Sequence, residues 1–164
     1  MRKAGTFQRL VLNAAGILLA AAVCGTASQL FRRDPIPWFE NWSNFIEAKA
    51  IKEGIPLVTA AQAMAFLQSG HLILDARPAA DYEAGHIPSA RSVPYDSIVD
   101  ALPAVQQFLT PSTPVMTYCS GKNCDESFLL TQYLRKQGFT NVVLFAGGFE
   151  TWSMEGHPIE RGAR

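Results

Sequence analysis

From Ile55 onward, short apolar runs alternate with stretches of helical spacing, and no other feature narrows the fold as much. Residues 56–59, 71–75 (HLILD), 90–93, 113–118 (TPVMTY) and 141–145 (NVVLF) read as strands. Between them, helices are expected over 59–67, capped by Thr59, and over 79–84. Further helices are expected over 97–108, interrupted near Pro103, and over 125–137, stopped by Gly138. A last one runs from Gly147-Gly148 to Glu155. Strands alternating with helices on this spacing imply a parallel sheet covered on both faces. The class is α/β, with about five strands and no internal repeat.

The N-terminal part is of another kind. Residues 10–31 (LVLNAAGILLAAAVCGTASQLF) carry no charge, and such a run exceeds the roughly 20 residues that cross a hydrocarbon core. Bases at both ends mark a single-pass transmembrane helix. A cleaved signal peptide is the rival, with Arg2, Lys3 and Arg9 as its basic region and Gly25-Thr26-Ala27 as the cleavage site. A buried helix of a soluble protein is a third reading. A lipoprotein signal is disfavoured because bulky Val23 precedes Cys24. Arg2, Lys3, Arg9 and the amino terminus precede the run and Arg32 and Arg33, offset by Asp34, follow it, so the positive-inside rule favours, by a small margin, the rest of the chain outside the cytoplasm, as cleavage would. The chain divides into an anchor or signal segment (1–33), a juxtamembrane linker with a short helix over 43–53 (34–54), and an α/β domain (55–162). In the linker, Pro35 and Pro37 prevent a continuous helix. Trp38, Phe39 and Trp42 suit a membrane interface or the edge of the domain's core equally.

Charge reinforces the division. Lys plus Arg number 14 and Asp plus Glu 14, a net charge of zero. Residues 1–33 hold Arg2, Lys3, Arg9, Arg32 and Arg33 without an acid, so the remainder carries the whole compensating negative charge. A neutral chain lacks the basic excess of a nucleic-acid binder. At 48% hydrophobic and 17% charged residues, it is not disordered either. Three cysteines are too few for a disulfide scaffold.

Cys119 follows the strand ending at Tyr118 and precedes a helix beginning near Asp125. Ligands of open α/β sheets bind at the carboxyl ends of strands. A thiol on a loop leading into a helix N-terminus faces N–H groups and a positive dipole end, both of which favour thiolate. Lys122 adds positive charge; Asp125 and Glu126 oppose it. On these residues alone, Cys119 serves as well for a small buried apolar residue.

Three motifs, in order and in register over residues 55–159, resemble the rhodanese-like domain family. They are Asp75-Ala-Arg77 followed by Gly85-His86-Ile87-Pro88-Ser-Ala90, Tyr118-Cys119 with its loop, and Gly147-Gly148-Phe149-Glu150-Thr151-Trp152 with Gly156-His157-Pro158. The resemblance implies a sulfurtransferase that needs no cofactor. Cys119 would take sulfane sulfur from thiosulfate or a similar small anion as a persulfide, then yield it to a thiol or cyanide-like acceptor. The amides from Ser120 through Gly121, Lys122 and Asn123 to Cys124 would hold the persulfide and the donor's oxyanions, with Lys122 on the sulfonate. Asp75, Arg77 and His86 would be supporting residues, the first two paired at the rim of the site.

The loop departs from the family pattern: Gly121 stands third, Lys122 fourth and Cys124 sixth. Cys124 is either a buried thiol or the partner of Cys119 in a disulfide that a reductant reopens. Phosphatases of this fold use a Cys-x5-Arg loop, but Asp125 stands where the Arg should be and would repel phosphate. No metal is expected, because Cys119 and Cys124 lack two further ligands at suitable spacing. The alternative of a different class is a non-enzymatic sulfur carrier, redox module or partner-binding module built on the two cysteines.

Overall fold

The computed structural model describes residues 3–30 and 46–162. They fall into two units, divided after Glu40. The linker aromatics Trp38, Phe39 and Trp42, together with Arg32 and Arg33, lie outside the described residues.

The described residues of the first unit form one helix, α1 (Lys3–Leu30). Its stretch Val11–Ser28 has a mean hydropathy of 1.8 and no buried residue. The side chains of Leu12, Ile17, Leu18 and Leu19 stand free, an apolar surface that water disfavours. Thr26 returns its hydroxyl to the carbonyls of Ala22 and Val23, and Ser28 to that of Gly25, so these polar groups need no outside partner. By length and composition α1 can cross a membrane, a test that a signal sequence also passes.

In the second unit, α2 (Ile46–Lys52) and α3 (Ala60–Gln68) precede β1 (Leu72–Asp75). Next come α4 (Ala79–Ala84), β2 (Arg91–Ser92), a 3-10 turn (Tyr95–Ser97) and α5 (Ile98–Gln106). The chain then forms β3 (Val115–Tyr118), α6 (Glu126–Lys136), β4 (Val142–Phe145) and α7 (Gly148–Met154). Thr59 caps α3 as expected: its hydroxyl accepts from the Gln62 N–H while the Gln62 side chain accepts from the Thr59 N–H, a capping box. The sheet has four parallel strands in the order β2-β1-β3-β4.

Register explains the two cores. Ile73, Met116 and Val143 lie side by side, as do Leu74, Thr117 and Leu144. Alternation along each strand sends Ile73, Met116, Tyr118 and Phe145 to one face, where α3, Tyr82 of α4 and Trp152 of α7 cover them. Leu74, Val115 and Val142 go to the other face, under Val105 of α5 and Leu130 and Leu134 of α6. Beside these, Ile46 and Ala50 of α2 are fully buried with Leu144 and Phe128, so the helix expected in the linker packs into the domain. Burying each such aliphatic side chain stabilises the fold by about 1.5–3 kcal/mol.

Two expectations change in detail. The strand expected over 56–59 is a single parallel bridge, Leu57 to Leu144. Pro56 has no N–H to extend the ladder, and Thr59 already turns to cap α3. The helix near Pro103 is continuous rather than interrupted. Proline there removes only the bond to the Val99 carbonyl, on a turn of the helix where Val99 is 78% exposed.

Candidate active site

Cys119 stands directly beyond the carboxyl end of β3, a central strand, and is 2% exposed. The chain then loops outward through exposed Ser120, Lys122 and Asn123 and returns at Cys124 to start α6. Two helices and one internal bond hold this loop. From α7, the N–H groups of Phe149 and Glu150 donate to the carbonyls of Cys119 and Ser120, both at 2.8 Å. From α2, the Ile46 N–H donates to the Lys122 carbonyl at 3.2 Å. Within the loop, the Cys124 N–H donates to the Gly121 carbonyl at 3.1 Å.

Gly148 makes the α7 clamp possible. Its φ is +60°, and a Cβ there would lie 2.4 Å from the Cys119 carbonyl oxygen and 2.8 Å from the Gly121 nitrogen. Only glycine allows both the left-handed backbone and the close approach. Its carbonyls being taken, the loop keeps its donors free. Among the described residues, none accepts from the N–H of Ser120, Gly121, Lys122 or Asn123. The fifth expected donor, Cys124, is committed to Gly121.

Clefts open on both sides of the loop. One, of about 580 Å³, runs from Ser120 to Cys124 and against Glu150, Thr151 and Met154 of α7. The other, of about 540 Å³, lies between Tyr95, Asp96, Asn123, Cys124 and Glu126. Lys122 shares the first cleft with Glu150, and Asp96, Asp125 and Glu126 line the second, which limits any general attraction of anions. Asp125 is neutralised, since Lys49 of α2 reaches its two oxygens at 2.8 and 2.6 Å. Glu126 is in no ion pair among the described residues.

The two thiols are joined. Cys119 and Cys124 form a disulfide across the loop, with Cα atoms 6.1 Å apart, within the usual span of such a bond. Glu126 Oε2 lies 2.6 Å from Cys124 Sγ and 3.3 Å from Cys119 Sγ. Ligand atoms of these three residues lie within 4.8 Å of one another. With both sulfurs bonded to each other, only the carboxylate is left to a cation, so the oxidised group does not suit a metal.

Beneath the loop lies a buried polar network. Arg77 grips Asp75 with Nε at 3.0 and 3.1 Å and Nη2 at 2.6 Å, and Nη2 also donates to the Gly85 carbonyl at 2.7 Å. The Tyr118 hydroxyl donates to Asp75 and accepts from the Ile87 N–H at 3.1 Å. Burial opposes the charge on Arg77, but the Asp75 carboxylate outweighs it and the guanidinium pKa rises. Burial first, and Asp75 second, push the Tyr118 hydroxyl far above its ordinary value. Removing either ion alone would leave a buried charge uncompensated, at a cost of about 3–5 kcal/mol. Phe149 of α7 lies over the Arg77 guanidinium at 4.3 Å, which ties the network to the helix that clamps the loop.

The family's sequence model, described as the rhodanese-like domain, matches residues 59–155, more than half of the chain. The chain belongs to the rhodanese-like domain family. It is 34% identical over 90 residues to a thiosulfate sulfurtransferase, GlpE, of Pseudomonas fluorescens, covering 55% of this chain and 77% of that protein. It is 31% identical over 91 residues to an adenylyltransferase and sulfurtransferase of Meyerozyma guilliermondii, covering 53% of this chain but 21% of that one. The crystal structure of a thiosulfate sulfurtransferase from Pseudomonas aeruginosa matches with a TM-score of 0.60 and 28% identity, over 71% of this chain and 22% of that chain. The chain thus spans about a fifth of two of these relatives.

The family's three motifs converge in the rhodanese-like domain. Ser120, Gly121, Lys122 and Asn123 form the loop that the disulfide closes, and the start of α7 at Gly147-Gly148 clamps its first carbonyls. Asp75 and Arg77 are paired but buried, at 0% and 4% exposure, rather than at the rim. His86 is fully buried, stacked on Tyr82 at 3.8 Å, with Nδ1 2.8 Å from the Tyr82 carbonyl oxygen. Sequence reasoning missed Lys49, which reaches the site from 76 residues away in the chain. It noted Glu126 only as a nearby negative charge. The signal for more was its spacing, two residues after Cys124, at the first turn of a helix.

Proposed function

We propose that this rhodanese-like domain is a sulfurtransferase working through a Cys119 persulfide. The observation that carries the reading is a cysteine at the end of a central strand, inside a loop whose four free N–H groups belong to Ser120, Gly121, Lys122 and Asn123. In the reduced domain, the Cys119 thiolate attacks the outer sulfur of thiosulfate or a similar donor. The sulfur–sulfur bond breaks and sulfite leaves with its electron pair. The free N–H groups then hold the persulfide anion as an oxyanion hole holds oxygen. A thiol or cyanide acceptor attacks the outer sulfur and returns the Cys119 thiolate. Lys122 meets the donor's sulfonate, while Asp75 and Arg77 support the loop through their buried ion pair, and His86 through its packing on Tyr82. The segment carrying α1 anchors the domain to a membrane, with the domain on the extracytoplasmic side.

A second reading is favoured by the disulfide: a carrier or redox module that loads sulfur or electrons on the cysteine pair without turning over. Thiocyanate formation by the reduced full chain, given thiosulfate and cyanide, separates the two. The sulfurtransferase gives sustained turnover that Cys119→Ser abolishes. A carrier gives at most one equivalent.

A further inference from the structure

Glu126 holds an unusual position. A neutral disulfide gives a carboxylate little to bind, and a carboxylate beside a thiolate costs energy. Beside a protonated thiol it accepts the S–H hydrogen bond, and its place in the first turn of α6 suits its own charge. The group at 2.6 Å is Cys124, and the disulfide shows that Cys124 can reach Cys119.

We propose that Cys124 discharges the Cys119 persulfide as sulfide, with Glu126 as the proton carrier of that step. This rests on the sulfurtransferase reading and changes who the acceptor is: the first acceptor lies within the chain. Glu126 takes the proton of the Cys124 S–H as that sulfur attacks Sγ of Cys119. The bond from Sγ to the outer sulfur breaks, and its electron pair leaves with the outer sulfur. Glu126 passes the proton to that sulfur, which departs as hydrosulfide. The sulfane sulfur is reduced to sulfide and the two cysteine sulfurs are oxidised to the disulfide, so no external oxidant is needed. A dithiol reductant, entering from the exposed side of the loop, reopens the disulfide by exchange and restores both thiols.

This makes the oxidised loop the product state of a cycle, in which Cys119 cannot accept sulfur until it is reduced. The other charged groups around the pair are Asp96 of the 3-10 turn, Lys122, Asp125 with its Lys49 partner, and Glu150 of α7. Lys49 already occupies Asp125, which leaves Glu126 as the carboxylate in contact with sulfur.

The test is a single turnover of the reduced full chain in detergent, freed of reductant and mixed with thiosulfate. Sulfide release and loss of free thiols are followed together. Wild type is expected to release one sulfide per chain and to lose both loop thiols. Cys124→Ser is expected to hold sulfane sulfur on Cys119 and release no sulfide. Glu126→Gln is expected to load sulfur but to discharge it about 10²–10⁴-fold more slowly. Its rate should climb with pH as Cys124 ionises unaided, with Glu126→Asp restoring part of the wild-type rate. A merely structural Glu126 would not produce that altered pH profile. Sulfide release from Cys124→Ser at the wild-type rate, or an unchanged rate and profile in Glu126→Gln, would overturn the proposal. A parallel loading with inorganic polysulfide separates the readings. If polysulfide, but not thiosulfate, drives loss of both loop thiols in wild type and not in Cys124→Ser, the donor assignment fails and the discharge step stands. If neither does, the discharge step fails.

Discussion

Asp75 has no solvent contact, so the protein itself balances its charge, through Arg77 and the Tyr118 hydroxyl. Tyr118 is also the last residue of β3, one position before Cys119, so the network fixes where the loop begins. Its raised pKa has a thermodynamic consequence. A hydroxyl that stays protonated in the folded state while ionising in the unfolded one contributes stability that is present below the ordinary tyrosine value and lost as pH rises above it. Stability should therefore fall from about pH 10 upward by roughly 1.4 kcal/mol per pH unit beyond any other alkaline effect. Urea unfolding at pH 9 and pH 11 checks this. The decline should be shallower in Tyr118→Phe by that amount, and equal declines would contradict the assignment.

At the scale of elements, α7 acts on the site through its backbone. Its first N–H groups take the carbonyls of Cys119 and Ser120, and Trp152, buried and donating to the Pro158 carbonyl at 2.7 Å, anchors the helix in the core. Gly148→Ala should cost at least about 1–2 kcal/mol from the left-handed backbone alone. It should also slow alkylation and sulfur loading of Cys119 more than it lowers the urea midpoint, because the new Cβ strikes the loop itself. Unaltered loading would show that the clamp does not shape the site. Much of this was legible beforehand. HLILD, TPVMTY and NVVLF became β1, β3 and β4 because their apolar runs suit strands buried on both faces. The Gly-Gly and Trp spacing pointed to α7. What could not be read was long-range pairing: Lys49 with Asp125, α2 with the Lys122 carbonyl, and Glu126 with both sulfurs. Such contacts depend on how loops and helices pack, and strand or helix periodicity carries no record of them.

At the scale of the whole molecule, the zero net charge joins a basic apolar segment to an acidic domain. An acidic domain does not draw an anion by its overall field, so the proposed cycle relies on the local N–H groups and Lys122 to attract the donor. The anchor reading expects the full-length chain to stay with membranes after alkaline washing; a shortened chain in the soluble fraction would make α1 a cleaved signal. The central claim is that sulfur is carried on Cys119. Intact-mass measurement of the reduced Cys124→Ser chain after exposure to thiosulfate tests it most directly, because that variant cannot close the disulfide. The expected result is a single added sulfur atom that a further Cys119→Ser change abolishes. An unmodified chain, or sulfur that persists without Cys119, would contradict the account.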